Sequence, residues 1–262
     1  MSKYKNSVDN TLYDALAHTW WDPGSLLGSL ANMNKYRFGY FERQAGPCAG
    51  RLFLDLGCGG GLITEEIAKR SGTAVGLDMS LPSLSIAERH KAGLNAFYLR
   101  ADARRLPFKN SSFDFIVCAD VLEHIDGLDI LSAEISRVLK KDGLFLFNTI
   151  NRNFLTALLF IILPQRVFKK MPINLHTYDN FIKPRELAGI MRNAGFELRD
   201  IRGLNPSLFS FIKGGLRLIF KNIPGIIKYS ESRRLMPFHY MGCFINYKIV
   251  ESQESGVEGR KP

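Results

Sequence analysis

The chain is poor in cysteine. Cys48, Cys58, Cys118 and Cys243 are its four thiols in 262 residues, and none stands in a Cys-x-x-Cys pair. That argues against a disulfide framework or a cysteine zinc site and fits a reducing cytosol. Long apolar runs are also missing. The longest, Phe154 to Leu163, is ten residues and stops at Pro164, too short to span a bilayer. Met1 to Asn10 is polar and has no apolar signal core, so nothing indicates secretion. The chain contains no Gly-x-Gly-x-x-Gly fingerprint and no Tyr-x-x-x-Lys pair, which argues against a nicotinamide oxidoreductase. It shows no internal repeat.

What is present is a strand–loop–helix–strand unit. An apolar run, Leu52 to Leu56, ends in Gly57-Cys58-Gly59-Gly60-Gly61, and a helical pattern, Leu62 to Lys69, follows at once. A second short apolar run ends in Asp78, 21 positions after Gly57. Glycines such as Gly57 and Gly59 let the backbone turn tightly and approach a ligand. The helix start offers free N–H groups. An acid at the next strand end accepts hydrogen bonds from both ribose hydroxyls. The unit therefore reads as a nucleoside site. Asp55, inside the first strand end, selects among nucleosides, because a carboxylate there repels a pyrophosphate and attracts a cation. S-adenosylmethionine carries an ammonium and a sulfonium and no phosphate, so it is the expected cofactor.

Strands are expected at 52–56, 74–78, 96–99, 113–119 and 143–149, with helices near 62–70, 81–92 and 128–140. This alternation predicts an α/β fold. Its sheet is doubly wound, mostly parallel, seven-stranded and Rossmann-like, with helices on both faces. Residues 11–45 read as N-terminal helices. Segments 151–183 and 207–240 break the rhythm and read as a helical, basic and apolar cap. A helix over Arg185–Ala194, a strand from Gly195-Phe196-Glu197-Leu198 and a last strand at about 243–250 complete one domain over 1–250. Residues 251–262 read as a disordered tail.

The net charge of +10 is unevenly placed. Residues 151–240 hold 15 Lys+Arg against 5 Asp+Glu, and the rest of the chain is balanced. Within this region Phe154–Leu163 is followed by Arg166, Lys169 and Lys170, and the apolar stretch Leu208–Ile227 carries Lys213, Arg217 and Lys221. An apolar wedge beside cations suits an anionic membrane surface better than a nucleic-acid backbone. A cytoplasmic protein held peripherally at the inner face of the membrane is the expectation, with no nucleic-acid partner.

Chemistry-bearing residues cluster after the strands. Asp102, past the third strand, can accept an adenine amino group, with Ala103 offering its backbone N–H. Asp120, Glu123 and His124 close the fourth strand within one turn, at the end of the sheet where such folds bind ligands. Two carboxylates and an imidazole suit a divalent ion such as Mg²⁺ or Zn²⁺. His124 is also the candidate base for a phenol proton. His176 stands in the insertion as a further histidine able to reach a substrate.

Several motifs then point one way. Trp20-Trp21-Asp22-Pro23, Arg37-Phe38-Gly39-Tyr40, the glycine loop with Gly76-Leu77-Asp78-Met79, and Val121-Leu122-Glu123-His124 are four of them. Asn148-Thr149-Ile150-Asn151-Arg152-Asn153 and Phe181-Ile182-Lys183-Pro184-Arg185-Glu186-Leu187 are two more. Over residues 12–205 the chain resembles the ubiquinone-biosynthesis O-methyltransferases. The resemblance implies S-adenosylmethionine as methyl donor and a polyprenylated catechol or hydroquinol as acceptor. It implies cofactor contacts at Arg37, Gly57, Asp78 and Ala119, and lipid contact over 154–175. It also implies a metal cluster at Asp120, Glu123 and His124, with Asp120 shorter than the glutamate of the eukaryotic members. The chain departs from the family at Ser29-Leu30-Ala31, where a Pro-Leu-His is usual, and after Asn205, where it is longer and more basic. Another lipid or small phenolic acceptor, or a scaffold that binds cofactor or lipid without turnover, are the rival readings. A nucleic-acid base methylase is disfavoured, because Asp120-Val121-Leu122-Glu123 stands where an Asn/Asp-Pro-Pro-aromatic motif is usual.

Overall fold

The structure, a computed structural model, describes residues 10–70, 72–167, 177–207, 213, 228–233 and 237–247. Its strands are β1 Leu52–Leu56, β2 Thr73–Asp78, β3 Ala96–Arg100, β4 Phe113–Ala119, β5 Leu139–Ile150, β6 Phe196–Pro206, β7 Tyr229–Ser232 and β8 His239–Asn246. They form one sheet in the order β3-β2-β1-β4-β5-β8-β6-β7. The first five strands pair in parallel. β8 runs antiparallel to β5 and β6, and β7 antiparallel to β6. The helices are α1 Asn10–Leu16, α2 Leu30–Ala45, α3 Leu62–Ala68, α4 Leu81–His90, α5 Leu128–Val138, α6 Phe154–Thr156 and α7 Pro184–Asn193. α6 runs on in wide π-helical turns over Ala157–Val167.

The doubly wound α/β expectation holds, and the pleat explains why. Successive residues of a strand face opposite sides of a sheet. Leu54, Leu56, Ile116, Cys118, Phe145 and Phe147 share one core with Leu131 and Ile135 of α5 and Leu187 and Met191 of α7. Phe53, Phe115, Val117, Leu144 and Leu146 share the opposite core with Phe38 and Phe41 of α2 and Ile63 and Ile67 of α3. Strands covered on both faces need apolar residues at almost every position, which is why β1 and β4 are readable as apolar runs, each interrupted by one acid, Asp55 and Asp114. Truncating a wholly buried ring such as Phe145 to alanine costs about 3–5 kcal/mol.

The strand count is a correction: eight, not seven. β7 lies inside 207–240, read from sequence as cap, because Tyr229-Ser230-Glu231-Ser232 carries no apolar run. Its order comes from pairing with Gly203–Pro206 of a long β6. β8 also begins four residues before the expected 243, since its register on β5 runs from Leu144 opposite Ile245 to Ile150 opposite His239. The parallel strands all end at one edge of the sheet, and β8 starts at that same edge. His176, residues 168–175, the stretch 208–227 apart from Lys213, and the tail 251–262 lie outside the described residues. No helix among the described residues is long and apolar enough to cross a membrane.

Candidate active site

A cavity of about 440 Å³ lies over the carboxyl ends of the parallel strands, within the range of small-molecule sites. Arg37, Gly57, Asp78, Asp102, Ala119, Asp120, Glu123 and His124 line it. Gly57 turns the chain out of β1 at φ +71°, and a Cβ there would fall 2.3 Å from Val121, so only glycine fits. Gly59 stands beside the cavity, one turn on in the same loop. Its N–H donates to Asp78 Oδ2 at 2.9 Å, and a Cβ on it would stand 2.3 Å from the Trp20 ring. Trp20 lies across the loop and donates its ring N–H to Ser83 Oγ at 2.9 Å. Trp21 donates to the Gly60 carbonyl at 2.9 Å and stacks on His90 with ring centroids 3.5 Å apart. The second loop glycine makes room for a tryptophan strap.

The carboxylates of this half are held by their own loops. Asp78 Oδ1 accepts from the Ser80 N–H at 2.8 Å, and burial raises the carboxyl above its ordinary pKa. A carboxylate has about four lone-pair sites, so Asp78 keeps capacity for a ribose. Asp102 accepts from Arg104 Nη2 at 2.7 Å and from the Arg104 backbone at 2.9 Å, and the Arg104 hydrogen bonds hold it below the usual carboxylate range. Asp55 is buried, accepts from Thr64 Oγ1 at 2.7 Å, and is pushed up to about 6 by burial. Six carboxylates line the cavity (Asp55, Asp78, Asp102, Asp120, Glu123 and Asp126) against two arginines, Arg37 and Arg104. A negative cavity in a chain of net charge +10 favours a cationic ligand. These residues fit S-adenosylmethionine.

The other half is strained and incomplete. Asp120 follows β4 at φ +57°, a left-handed conformation that costs a non-glycine residue about 1–3 kcal/mol and clusters at functional sites. It pairs with the buried Arg37 guanidinium. Burial pushes Asp120 up, but Arg37, with His239 and His124, holds it below its ordinary range. Arg37 also donates from Nε to Asn34 at 2.6 Å and from Nη1 to Asn148 at 3.3 Å. Glu123 Oε2 accepts from Thr149 at 2.7 Å. Burial first, and then the Asp120 charge, raise Glu123 to about 8. Asp120 Oδ1 and Glu123 Oε1 are buried with no hydrogen-bond partner among the described residues. His124 Nε2 lies 3.3 Å from the Tyr13 hydroxyl, and burial lowers the imidazole to about 4.

The expected metal cluster is a second correction. Among the described residues no group of three His, Cys, Asp or Glu side chains comes together to hold a metal ion. Arg37 already neutralises Asp120, and Glu123 turns one oxygen to Thr149. The donor set does not fit a divalent ion.

A family model described as a methyltransferase domain matches residues 54–147. Among curated relatives, the ubiquinone biosynthesis O-methyltransferase of Pseudomonas fluorescens is 35% identical over 195 residues, 73% of this chain and 84% of that protein. The namesake of Hahella chejuensis is 35% identical over 207 residues, 77% of this chain and 87% of the relative. The chain belongs to this family. It is an S-adenosylmethionine-dependent methyltransferase. Among solved structures, a methyltransferase from Thermotoga maritima superposes with TM-score 0.60 at 20% identity, covering 91% of this chain and 100% of that one. The magnesium protoporphyrin IX methyltransferase of Synechocystis, solved with bound SAH, gives 0.62 at 14% identity over 90% and 94%. At such identities the likeness concerns the fold.

Tyr13, Tyr229 and His239 also line this methyltransferase's cavity and were not legible as site residues in the sequence. Tyr13 sits on α1, and burial raises its hydroxyl above the ordinary range, helped by the Glu123, Asp120 and Asp78 charges. The spacing of Leu12, Leu16 and Trp20 marks that helix but says nothing of where Tyr13 reaches. Tyr229 and His239 stand on β7 and β8, within the segment read as cap.

Proposed function

We propose that the chain methylates a ring hydroxyl of a polyprenylated catechol or demethylubiquinol at the inner face of the membrane. The observation that carries the reading is the two-part cavity. An acidic nucleoside half adjoins a half that ends in unpartnered buried oxygens on Asp120 and Glu123. Asp78 would hold the ribose. Asp102 and Ala103 would meet the adenine. Gly57, Ala119 and Arg37 would hold the amino-acid end; Arg37 Nη2 makes no hydrogen bond among the described residues. Bound there, S-adenosylmethionine supplies an electrophilic methyl group.

The protein's own work is alignment, dryness and a proton. A phenol of pKa about 10 must lose its proton as its oxygen is alkylated. Burial keeps His124 neutral and also makes it a weaker base; its imidazole is the group placed to take that proton from the acceptor hydroxyl. Tyr13 orients the imidazole through its hydroxyl at Nε2. The donor's sulfonium would keep the electron pair of the broken carbon–sulfur bond and become a neutral thioether, so charge balances. Support for the membrane comes from the inserted segment, where Phe154 is 76% exposed and Leu155 and Ile162 are also exposed, in the region that carries the basic excess.

The test is turnover of labelled S-adenosylmethionine with a short-chain demethylubiquinol, a polyprenyl catechol and total RNA in parallel. Label in the quinol or catechol supports the reading. Label in none of them, with tight cofactor binding, overturns it in favour of another lipid or phenolic acceptor.

A further inference from the structure

β8 brings to the cavity a histidine that the mechanism above does not use. His239 opens β8 opposite Ile150, the last residue of β5. The residue is 5% exposed, yet it lines the cavity. Its Nδ1 is buried with no hydrogen-bond partner among the described residues. Phe160 of the inserted helix stands edge-on to it, with ring centroids 5.2 Å apart. Burial lowers its pKa, with Asp120 and Arg37 near enough for their charges to act in opposite directions. The ring is therefore neutral, with one donor and one acceptor nitrogen. Buried polar atoms without partners call for an explanation, and a ligand is one.

Position says which ligand. Gly57 and Asp102 follow β1 and β3 and Asp78 ends β2, whereas β8 lies beyond β4 and β5 on the opposite side of the sheet centre. A nucleoside spread over the first three strand ends does not extend to β8. The acceptor does, since Asp120, Glu123 and His124 follow β4, next to β5.

We propose that His239 is the acceptor-orienting residue: its imidazole bonds the ring oxygen beside the one being methylated and so decides which of two neighbouring oxygens is presented for transfer. This rests on the reading of the acceptor as a ring with adjacent oxygens. The neighbouring oxygen keeps its own substituent or proton, and His124 takes the proton of the reacting one.

The full chain is given labelled S-adenosylmethionine and a short-chain prenyl catechol whose two hydroxyls yield distinguishable ethers. A prenyl phenol with one hydroxyl runs in parallel. Wild type is compared with His239→Leu and His239→Asn, and calorimetry with the cofactor monitors folding. Wild type is expected to give one ether predominantly. His239→Leu drives the two ethers toward equal amounts and raises the catechol KM about tenfold, the loss of one hydrogen bond. The phenol, which has no second oxygen for His239 to bond, loses less than the catechol does, and calorimetry still shows the cofactor bound. His239→Asn, which keeps a polar atom near Nδ1, restores part of the selectivity, and it carries the test alone if the leucine variant loses cofactor binding. Unchanged ether ratio and KM in both variants overturn the proposal. No catechol product from wild type overturns the acceptor reading itself and the proposal with it.

Discussion

The two halves of the cavity are built differently. In the nucleoside half each carboxylate is bound by groups close to it in the chain or on the adjoining loop: Asp78 by Ser80 and Gly59, Asp102 by Arg104. In the acceptor half the partners come from far away. Arg37 reaches Asp120 across 83 positions, Thr149 reaches Glu123 across 26, and Tyr13 reaches His124 across 111. The first half is preorganised by its own loops. The second holds strained and unpartnered groups, Asp120 at positive φ, Asp120 Oδ1, Glu123 Oε1 and His239 Nδ1. A site that completes its hydrogen bonds with the substrate gives up some stability of the free protein for discrimination.

That contrast can be broken by substitution. Asp78→Ala should weaken cofactor binding roughly 100-fold or more, since two charge-assisted ribose hydrogen bonds are lost; calorimetry reads it. If the affinity barely changes, the nucleoside half does not work as described. His124→Asn should lower kcat roughly 100-fold, the scale of one general base, and leave cofactor affinity within a factor of about two. A matching loss of affinity would mean that His124 belongs to the cofactor half.

The pH response sharpens it further. Asp55 stands at about 6 in the free protein because it is buried. A bound cation favours its ionised form, so binding releases a proton whenever Asp55 starts protonated. Cofactor affinity should therefore fall about tenfold as pH drops from 7 to 5, through the free-protein pKa. A flat profile would place the cation away from Asp55.

Glu123 acts on stability instead. Its folded pKa of about 8 lies above its ordinary 4.5. The free folded protein thus holds a proton that the unfolded chain releases, and stability declines as pH rises between those values. Glu123→Gln removes the buried charge. It should raise Tm by roughly 4–8 °C at pH 8.5, equivalent to about 2 kcal/mol in a chain of this size, and leave Tm unchanged at pH 4. The smallest effect is expected from chelation. With Asp120 already paired to Arg37, EDTA should change kcat by less than about two-fold, on the scale of an interaction that is not made. A larger loss would restore the metal cluster.

Much of the fold was legible because parallel strands covered on both faces must be apolar along their length. β1 was placed at 52–56 and β4 at 113–119, and each has those bounds. Gly57 and Asp78 were legible as well, since a strand end, a positive-φ turn and an acid at the next strand end are local features. The edge of the sheet was not. Tyr229–Ser232 has no apolar pattern, and its strand exists because β6 is long enough to pair with it. Gly59 was legible only as a place where a side chain is unwelcome; that Trp20 fills the space beside it is a contact across 39 positions. The metal cluster was misread for a related reason. Spacing brought Asp120, Glu123 and His124 into one turn, but Arg37 from α2 had already taken Asp120.

Alternating apolar segments, a glycine turn and two acids at strand ends were thus enough to specify an S-adenosylmethionine fold, since each depends on neighbours a few residues away. The acceptor half needed the folded chain. Its groups come from α1, α2, the end of β4 and the start of β8, and only the packing of the sheet brings Tyr13, Arg37, His124 and His239 around one cavity. Burial there sets the protonation of Tyr13, His124 and His239 as well, for a side chain's pKa follows the dielectric and the partners around it rather than its place in the chain.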